Sequence, residues 1–100
     1  MYKEIYRIGN KITKRDKLGL HAKVESVILE ILSLAIAAAF TPREKKKSIL
    51  ESARLKTEIA KQLIRTEQEL HIIAEASYLA LEEGLQEISK MLNGWINSLP

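Results

Sequence analysis

Residues 24–44, VESVILEILSLAIAAAFTPRE, hold the end of one helix and the start of the next. Apolar residues occupy almost every side of 20–40, which is typical of a helix with neighbours on more than one face. Glu25 and Glu30 interrupt the apolar run, which is too short to span a bilayer. In T-P-R-E, Thr41 is suited to the N-cap, Pro42 to the first helical position and Glu44 to the capping box. The stretch therefore predicts a central helix over 20–40 and a following helix that starts at residue 42.

The rest of the chain predicts helices at apolar spacings of three and four residues. Ile5, Ile8 and Ile12 predict a first helix over 2–14, and the helix that starts at residue 42 keeps its apolar positions to about residue 72. A last helix over 77–98 carries a continuous stripe of Leu81, Leu85, Ile88, Leu92, Trp95 and Leu99. Four helices with short connections predict an all-α fold, an antiparallel up-down four-helix bundle in a single domain over 1–100.

Length and composition limit the kind of protein that this chain can be. One hundred residues with 46% hydrophobic content are enough for one compact core but not for two. The chain contains no cysteine, so a disulfide framework and a thiolate metal site are both excluded. The N-terminal MYKEIYRIGNK mixes charged with apolar residues, unlike a signal peptide, which favours a cytoplasmic location.

The histidines and serines do not form a recognisable catalytic or metal-binding pattern. His21 and Glu25, like His71 and Glu75, are four residues apart, which would place each pair on one helical face. Di-iron bundles use Glu-x-x-His instead, so we interpret both pairs as surface ion pairs, with His21 beside Lys61. No serine lies in a nucleophile motif and no glycine-rich phosphate loop occurs. We therefore expect no enzyme activity, no metal and no cofactor.

The charge distribution is strongly polarised along the chain. Residues 1–65 carry a net charge of +8, and residues 66–100 carry −5. Along the third helix, a basic ladder on one face can hold a phosphate backbone; its members are Lys47, Arg54, Lys61 and Arg65. An ordinary solvated face is the equally weighted alternative, since Glu51 and Glu58 lie beside these residues. Aromatic platforms on which single strands could stack are missing from the pattern, so we expect sequence-nonspecific contacts with phosphates or with nucleic-acid shape, and not with bases. The candidate binding residues are Lys14, Arg15, Lys17, Lys23, Arg54, Lys61 and Arg65.

Gly94 and Trp95 stand together in the last predicted helix. Glycine costs about 1 kcal/mol relative to alanine inside a helix, which suggests a close approach of a neighbouring helix at Gly94. The apolar stripe predicts that Trp95 is a buried core residue near the first helix; ordinary core filling is the simpler alternative.

Small residues also predict self-association. Ala35, Ala37, Ala38 and Ala39 lie on a helix that is apolar nearly all round, which is more apolar surface than three neighbouring helices need to cover. A monomer with a well-wrapped central helix is the alternative.

Four motifs resemble the accessory variability determinant (Avd) proteins of diversity-generating retroelements. They are LGLHAKVE, REKKKSILESARL, QLIRTEQEL and ISKMLNGWINSL, and the resemblance covers residues 2–99. Gly94 and Trp95 match the family's closing motif, and Arg65 matches the arginine of its third helix. The resemblance implies a helical bundle that assembles into a homo-oligomeric barrel, a pentamer. It also implies a basic surface that binds reverse transcriptase and RNA or DNA during mutagenic retrohoming.

Two alternatives to the retroelement function remain open. Bundle proteins encoded in intervening sequences of bacterial large-subunit ribosomal RNA genes share the architecture. Their S-I-P-S-N-I-A-E-G-like stretch is replaced here by LSLAIAAAF, so we rank them second. The other alternative is an oligomeric scaffold without nucleic-acid binding.

Overall fold

The computed structural model describes residues 1–13 and 16–99, without the side chains of Lys17 and Leu18. Every regular element in this described part is helical. Helix α1 spans Tyr2–Gly9, and a π-helical segment, Lys17–His21, leads into α2 at Ala22–Ala39. Helix α3 spans Arg43–Glu69 and α4 spans Glu75–Asn97. The all-α prediction is therefore confirmed.

Helix α3 is the centre of the bundle and packs against both α2 and α4. Lys56 Nζ lies 2.8 Å from Glu30 Oε2, and His21 Nδ1 lies 2.8 Å from Glu67 Oε2, so α2 and α3 run antiparallel. Arg54 Nη1 donates a hydrogen bond to Asn93 Oδ1 at 3.1 Å, which joins α3 to α4. Helices α2 and α4 hardly contact each other, because α1 lies between them.

The buried side chains form two clusters. The larger cluster lies at the α1 end and joins Ile5 to α2, α3 and α4. The smaller one lies near the turn between α2 and α3, where Leu50 and Ala53 pack beneath Leu92 and Ile96. Helix α1 reaches only the larger cluster.

An apolar groove lies between α2 and α4, beyond the N-terminal end of α1. At 1.5 Å per residue, the eight residues of α1 cover about 12 Å, whereas the 23 residues of α4 cover about 35 Å. The uncovered part is an open groove of about 420 Å³. Its lining residues include Met1, Tyr2, Leu32, Ala35, Met91 and Trp95.

The first helix is shorter than the predicted 2–14. It ends at Gly9, where the Asn10 and Lys11 amides bond three residues back, to the Arg7 and Ile8 carbonyls. Glycine and asparagine are both poor helix formers, and these tighter bonds close the last turn. The predicted continuation over 10–13 is wrong, and residue 14 lies outside the described residues.

The start of α3 also differs from the prediction. Thr41 does not cap it, because the Thr41 hydroxyl donates to the Ala37 carbonyl at 2.6 Å and so ends α2. Pro42 has extended ψ and is the N-cap, without a side-chain hydrogen bond, so Glu44 forms no capping box. The predicted capping arrangement is wrong, although α3 begins within one residue of the predicted position.

The turn between α3 and α4 ends α3 earlier than the predicted residue 72. His71 has a φ of 58°, and the amides of His71 and Ile72 bond to the Gln68 and Glu67 carbonyls. This is a Schellman motif, in which His71 takes the position that glycine usually holds. Helix α4 then begins at Glu75, two residues before the predicted start. Among the described residues, no helix is both long enough and apolar enough to cross a membrane.

Candidate functional site

The predicted basic face of α3 is present but largely paired. Arg54, Lys61 and Arg65 lie within about 40° of one another around the helix, since they are seven and four residues apart. Arg54 bonds to Asn93, and Lys61 Nζ donates to Glu58 Oε1 at 3.0 Å. We call these three residues the α3 ladder. The structure brings them together on the side of α3 that adjoins α4.

Arg65 lies near the phenol of Tyr78 and the carboxylates of Glu82 and Glu69. A hydrogen bond with the Tyr78 side chain raises the pKa of the Arg65 guanidinium, and the negative charges of Glu82 and Glu69 act in the same direction. Helix α4 therefore shields the α3 ladder with negative charge, as its net acidic sequence indicates.

Lys23 lies away from the α3 ladder. It is seven residues before Glu30, so both share a face of α2, and Glu30 bonds to Lys56. Lys56 and Arg65 are nine residues apart, which places them about 180° from each other around α3. The structure therefore does not bring Lys23 and Arg65 together. Lys14, Arg15 and the Lys17 side chain lie outside the described residues.

A second basic surface lies at the turn between α2 and α3. Here Phe40 is 87% exposed and is followed by Arg43, Lys45, Lys46 and Lys47. None of these four cations forms an ion pair with a described residue, and Lys46 Nζ lies 5.7 Å from the centroid of the Trp95 ring. We call these five residues the hairpin tip.

The hairpin tip is not among the predicted binding residues. Only Lys47 was predicted to lie on the basic face of the third helix, seven residues before Arg54, and the rest of the run R-E-K-K-K at 43–47 supported only the family resemblance. The exposure of Phe40 could not be read from its neighbours, because residues 20–40 are apolar on almost every side and Phe40 appears as their last member.

His21 is buried and not part of a surface ion pair. Its Nδ1 lies 2.8 Å from Glu67 Oε2, and its Nε2 donates to the Ile5 carbonyl at 2.9 Å. Glu25 Oε1 lies 3.5 Å from Nε2. The His21 and Glu67 side chains are both inaccessible to solvent. The predictions of a surface pair and of Lys61 as the neighbour are therefore wrong, because the register of α2 on α3 places Glu67 beside His21.

The polar groups around His21 stabilise its charged form. Burial lowers the pKa of His21, but the hydrogen bonds to Glu67 and Ile5 and the charges of Glu67 and Glu25 more than offset this, so the pKa lies above its ordinary value of 6.5. Two carboxylate oxygens here are buried without a hydrogen-bond partner: Glu67 Oε1, and the same Glu25 Oε1 that lies 3.5 Å from His21 Nε2. We call these three side chains the His21 cluster.

The His21 cluster is structural and not catalytic. A histidine between two carboxylates can exchange protons, but a general base must reach its substrate, and the His21 ring is completely buried. The described residues contain no group of three or more histidine, aspartate or glutamate side chains placed to hold a metal ion. The other predicted pair does not share a helical face, because His71 lies in the turn before α4 and Glu75 is the first residue of α4.

Gly94 and Trp95 occupy different environments from those predicted. A Cβ built at Gly94 has no heavy atom within 4 Å, so no helix of the same subunit approaches it closely. The predicted close contact within the bundle is wrong, because Gly94 faces outward from α4. Trp95 is only partly buried: it packs on the smaller core cluster and lines the apolar groove together with Tyr2.

Comparison with protein families found one match. A family model described as bAvd-like matches residues 1–99, which is nearly the whole chain. Comparisons with curated proteins and with solved structures found no match.

Proposed function

Since the chain belongs to the bAvd-like family, we propose that it is a non-catalytic accessory protein of a diversity-generating retroelement. In this role it binds the retroelement's reverse transcriptase and RNA or complementary DNA during mutagenic retrohoming, in the cytoplasm. The family match over residues 1–99 is the observation that carries the proposal.

The α3 ladder supports a role in binding. Arg54, Lys61 and Arg65 present positive charge along about 16 Å of one helix face, at 1.5 Å per residue. Charge of this kind attracts phosphates without reading bases, so binding is sequence-nonspecific and weakens as salt is added. Lys14, Arg15 and Lys17 stay predicted contributors at the same end of the bundle as Lys61 and Arg65, whereas Lys23 lies on another face.

We further propose that the protein acts as a homo-oligomer, a pentamer by family resemblance. Helix α2 presents an exposed apolar stripe of Leu29, Leu32 and Ile36. The accessible surface of the chain is 6446 Å². A compact monomer of this mass exposes about 5,800 Å², and the excess of about 650 Å² approaches the roughly 800 Å² that each partner buries in a standard interface.

A charge-reversal experiment tests the binding proposal. Labelled RNA and reverse transcriptase are each titrated with the wild-type protein and with the double variant Lys61→Glu/Arg65→Glu, at two salt concentrations. We expect weaker binding of both partners, with circular dichroism showing an unchanged fold. Lys56→Glu, on the opposite face of α3, is the matched control. Unchanged affinity for both partners would remove the α3 ladder as the binding surface.

One observation favours the scaffold alternative. Arg54 and Lys61 both have polar partners within the subunit, as expected for a solvated helix face. Sedimentation equilibrium and RNA titration distinguish a scaffold from a nucleic-acid-binding accessory protein, because a scaffold assembles but does not bind RNA. A species of 11.4 kDa at every concentration would contradict assembly. A reverse-transcriptase gene with template and variable repeats nearby would favour the retroelement function over the ribosomal RNA intervening-sequence alternative.

A further inference from the structure

We infer that the hairpin tip binds single-stranded nucleic acid, with Phe40 stacked on a base and Arg43, Lys45 and Lys47 in contact with phosphates. The inference rests on the proposed function, because it takes nucleic acid to be a ligand of this protein. It assigns that ligand to a surface separate from the α3 ladder.

The exposure of Phe40 is the first observation. Its ring is 87% accessible, whereas the aromatic ring of Trp95, nearby in the same end of the bundle, is partly buried. The backbone around Phe40 is held in place, since its amide bonds to the Ala37 carbonyl and the Thr41 hydroxyl bonds to the same oxygen. A ring that is fixed at its backbone and open to solvent offers a face on which a base can stack.

The unpaired cations are the second observation. Four basic residues and one acid occupy 43–47, and none of the four forms an ion pair within the described part of the chain. In the α3 ladder, by contrast, Arg54 and Lys61 already have partners. Cations without partners can bind phosphates without first breaking an internal contact, so the hairpin tip is the better phosphate site.

The start of α3 adds to the positive potential. The 27-residue helix begins directly after Pro42, and no side chain caps its first turn. The helix dipole and the remaining free amides favour a negative group at this position, where Glu44 supplies the one acidic side chain of the first turn. This potential adds to the charge of Arg43, Lys45 and Lys47. The inference itself rests on these three cations and on Phe40.

Unpaired bases fit this surface better than a duplex or a protein does. Inside a duplex both faces of a base are stacked on its neighbours, so Phe40 could reach only an unpaired base. An acidic protein would use the cations but would gain nothing specific from a flat aromatic ring. The combination of a ring and adjacent cations therefore points to single strands.

Fluorescence anisotropy on the full chain tests the inference. The probe is a labelled, mixed-sequence RNA of twelve nucleotides, compared with the same strand in a duplex. We expect Phe40→Ala to weaken single-strand binding by about 5- to 150-fold, the range of one stacked base. Phe40→Trp, which keeps an aromatic ring, should bind single strands about as tightly as the wild type. Leu70→Ala is the matched control, because Leu70 is also a large exposed apolar residue but lies at the opposite end of α3.

The cations are tested by salt dependence. The slope of log affinity against log salt is negative, and each lost phosphate contact makes it less steep by about 0.7 for a single strand. Lys45→Ala/Lys47→Ala should therefore make it less steep by about 1.4. The double variant Lys61→Ala/Arg65→Ala is measured in parallel to separate the two surfaces.

Several outcomes would overturn the inference. One is equal affinity of Phe40→Ala and Leu70→Ala; another is an equal loss for duplex and single strand. A reduced sedimentation mass of Phe40→Ala would assign Phe40 to a contact between subunits instead. If only the ladder variant weakens binding, the proposed function stands and the hairpin tip is excluded as the site. If the wild-type protein binds no RNA, both fail.

Discussion

His21 and Glu67 are 46 residues apart in sequence, yet the Nδ1 and Oε2 atoms of their fully buried side chains lie 2.8 Å apart. The other ring nitrogen of His21 must donate its hydrogen bond, because the Ile5 carbonyl can only accept one. The raised pKa of His21 favours the ring with both nitrogens protonated, in which Nδ1 donates to Glu67 Oε2. One side chain at the start of α2 thus joins α1 to α3.

Removal of His21 should be strongly destabilising. Breaking a buried pair leaves an unpaired charge, here Glu67, and costs about 3 to 5 kcal/mol. We expect a loss of this size for His21→Ala in urea denaturation. Lys61→Ala, which removes the exposed pair with Glu58, is the control and should cost less than about 1 kcal/mol. Similar losses of unfolding free energy in both variants would show that the buried pair stabilises the fold no more than the exposed pair does.

Stability should fall as pH rises above 6.5, because of His21. Its folded-state pKa lies above the ordinary 6.5, owing to Glu67, Ile5 and Glu25, which outweigh burial. The stabilisation is then complete below pH 6.5 and is lost as pH rises through the folded-state pKa. Urea midpoints measured from neutral to alkaline pH should show this decline, and Glu67→Gln should reduce it. A Glu67→Gln profile parallel to that of the wild type would exclude the pair as the cause.

His71→Gly should stabilise the protein. His71 has a φ of 58°, a conformation that glycine adopts without steric cost. The greater freedom of glycine in the unfolded chain offsets part of the gain, so we expect about 0.5 to 1 kcal/mol in thermal denaturation. Leu70→Gly, at the preceding residue with a φ of −86°, should destabilise instead. A less stable His71→Gly variant would mean that the imidazole makes a contribution greater than the backbone strain.

Alanine substitutions at Gly9 and Gly94 should have opposite effects. A Cβ at Gly9 would lie 3.0 Å from His21 Cδ2 and 3.1 Å from Glu25 Oε1, so Gly9→Ala should push α1 away from the His21 cluster and destabilise the fold. A Cβ at Gly94 meets nothing within 4 Å, and Gly94→Ala should stabilise the subunit by about 0.5 to 1 kcal/mol through helix propensity. Urea denaturation measures both changes.

Sedimentation of Gly94→Ala gives a separate result. If this substitution reduces the assembled mass while the subunit stays folded, Gly94 lies at a contact between subunits, and the lack of a side chain there has a reason outside the single chain.

Local patterns were enough to predict the helices but not their partners. The apolar spacings predicted four helices because each helix buries one stripe, and this requires no knowledge of the neighbours. His21 was misplaced because counting back from the turns assumed the wrong register, which moved its neighbour on α3 from Glu67 to Lys61. An error of a few residues is small for a helix boundary and decisive for a buried pair.

For the basic residues, too, the pattern within one helix could be predicted and the packing between helices could not. Periodicity correctly placed Arg54, Lys61 and Arg65 on one face of α3, since this depends on a single helix. It could not show that α4 supplies Tyr78 and Asn93 to two of them, because that depends on the packing of two helices.

The short α1 has a consequence for local unfolding. A helix of eight residues is too short to persist alone in water, so its order depends on docking at Ile5, Gly9 and the His21 ring. The α2–α3 and α3–α4 packing does not require it, so α1 can detach while the three long helices remain folded. Its amides should therefore exchange with solvent at a lower opening free energy than those of α3. In that opened state the apolar groove would run the full length of the bundle.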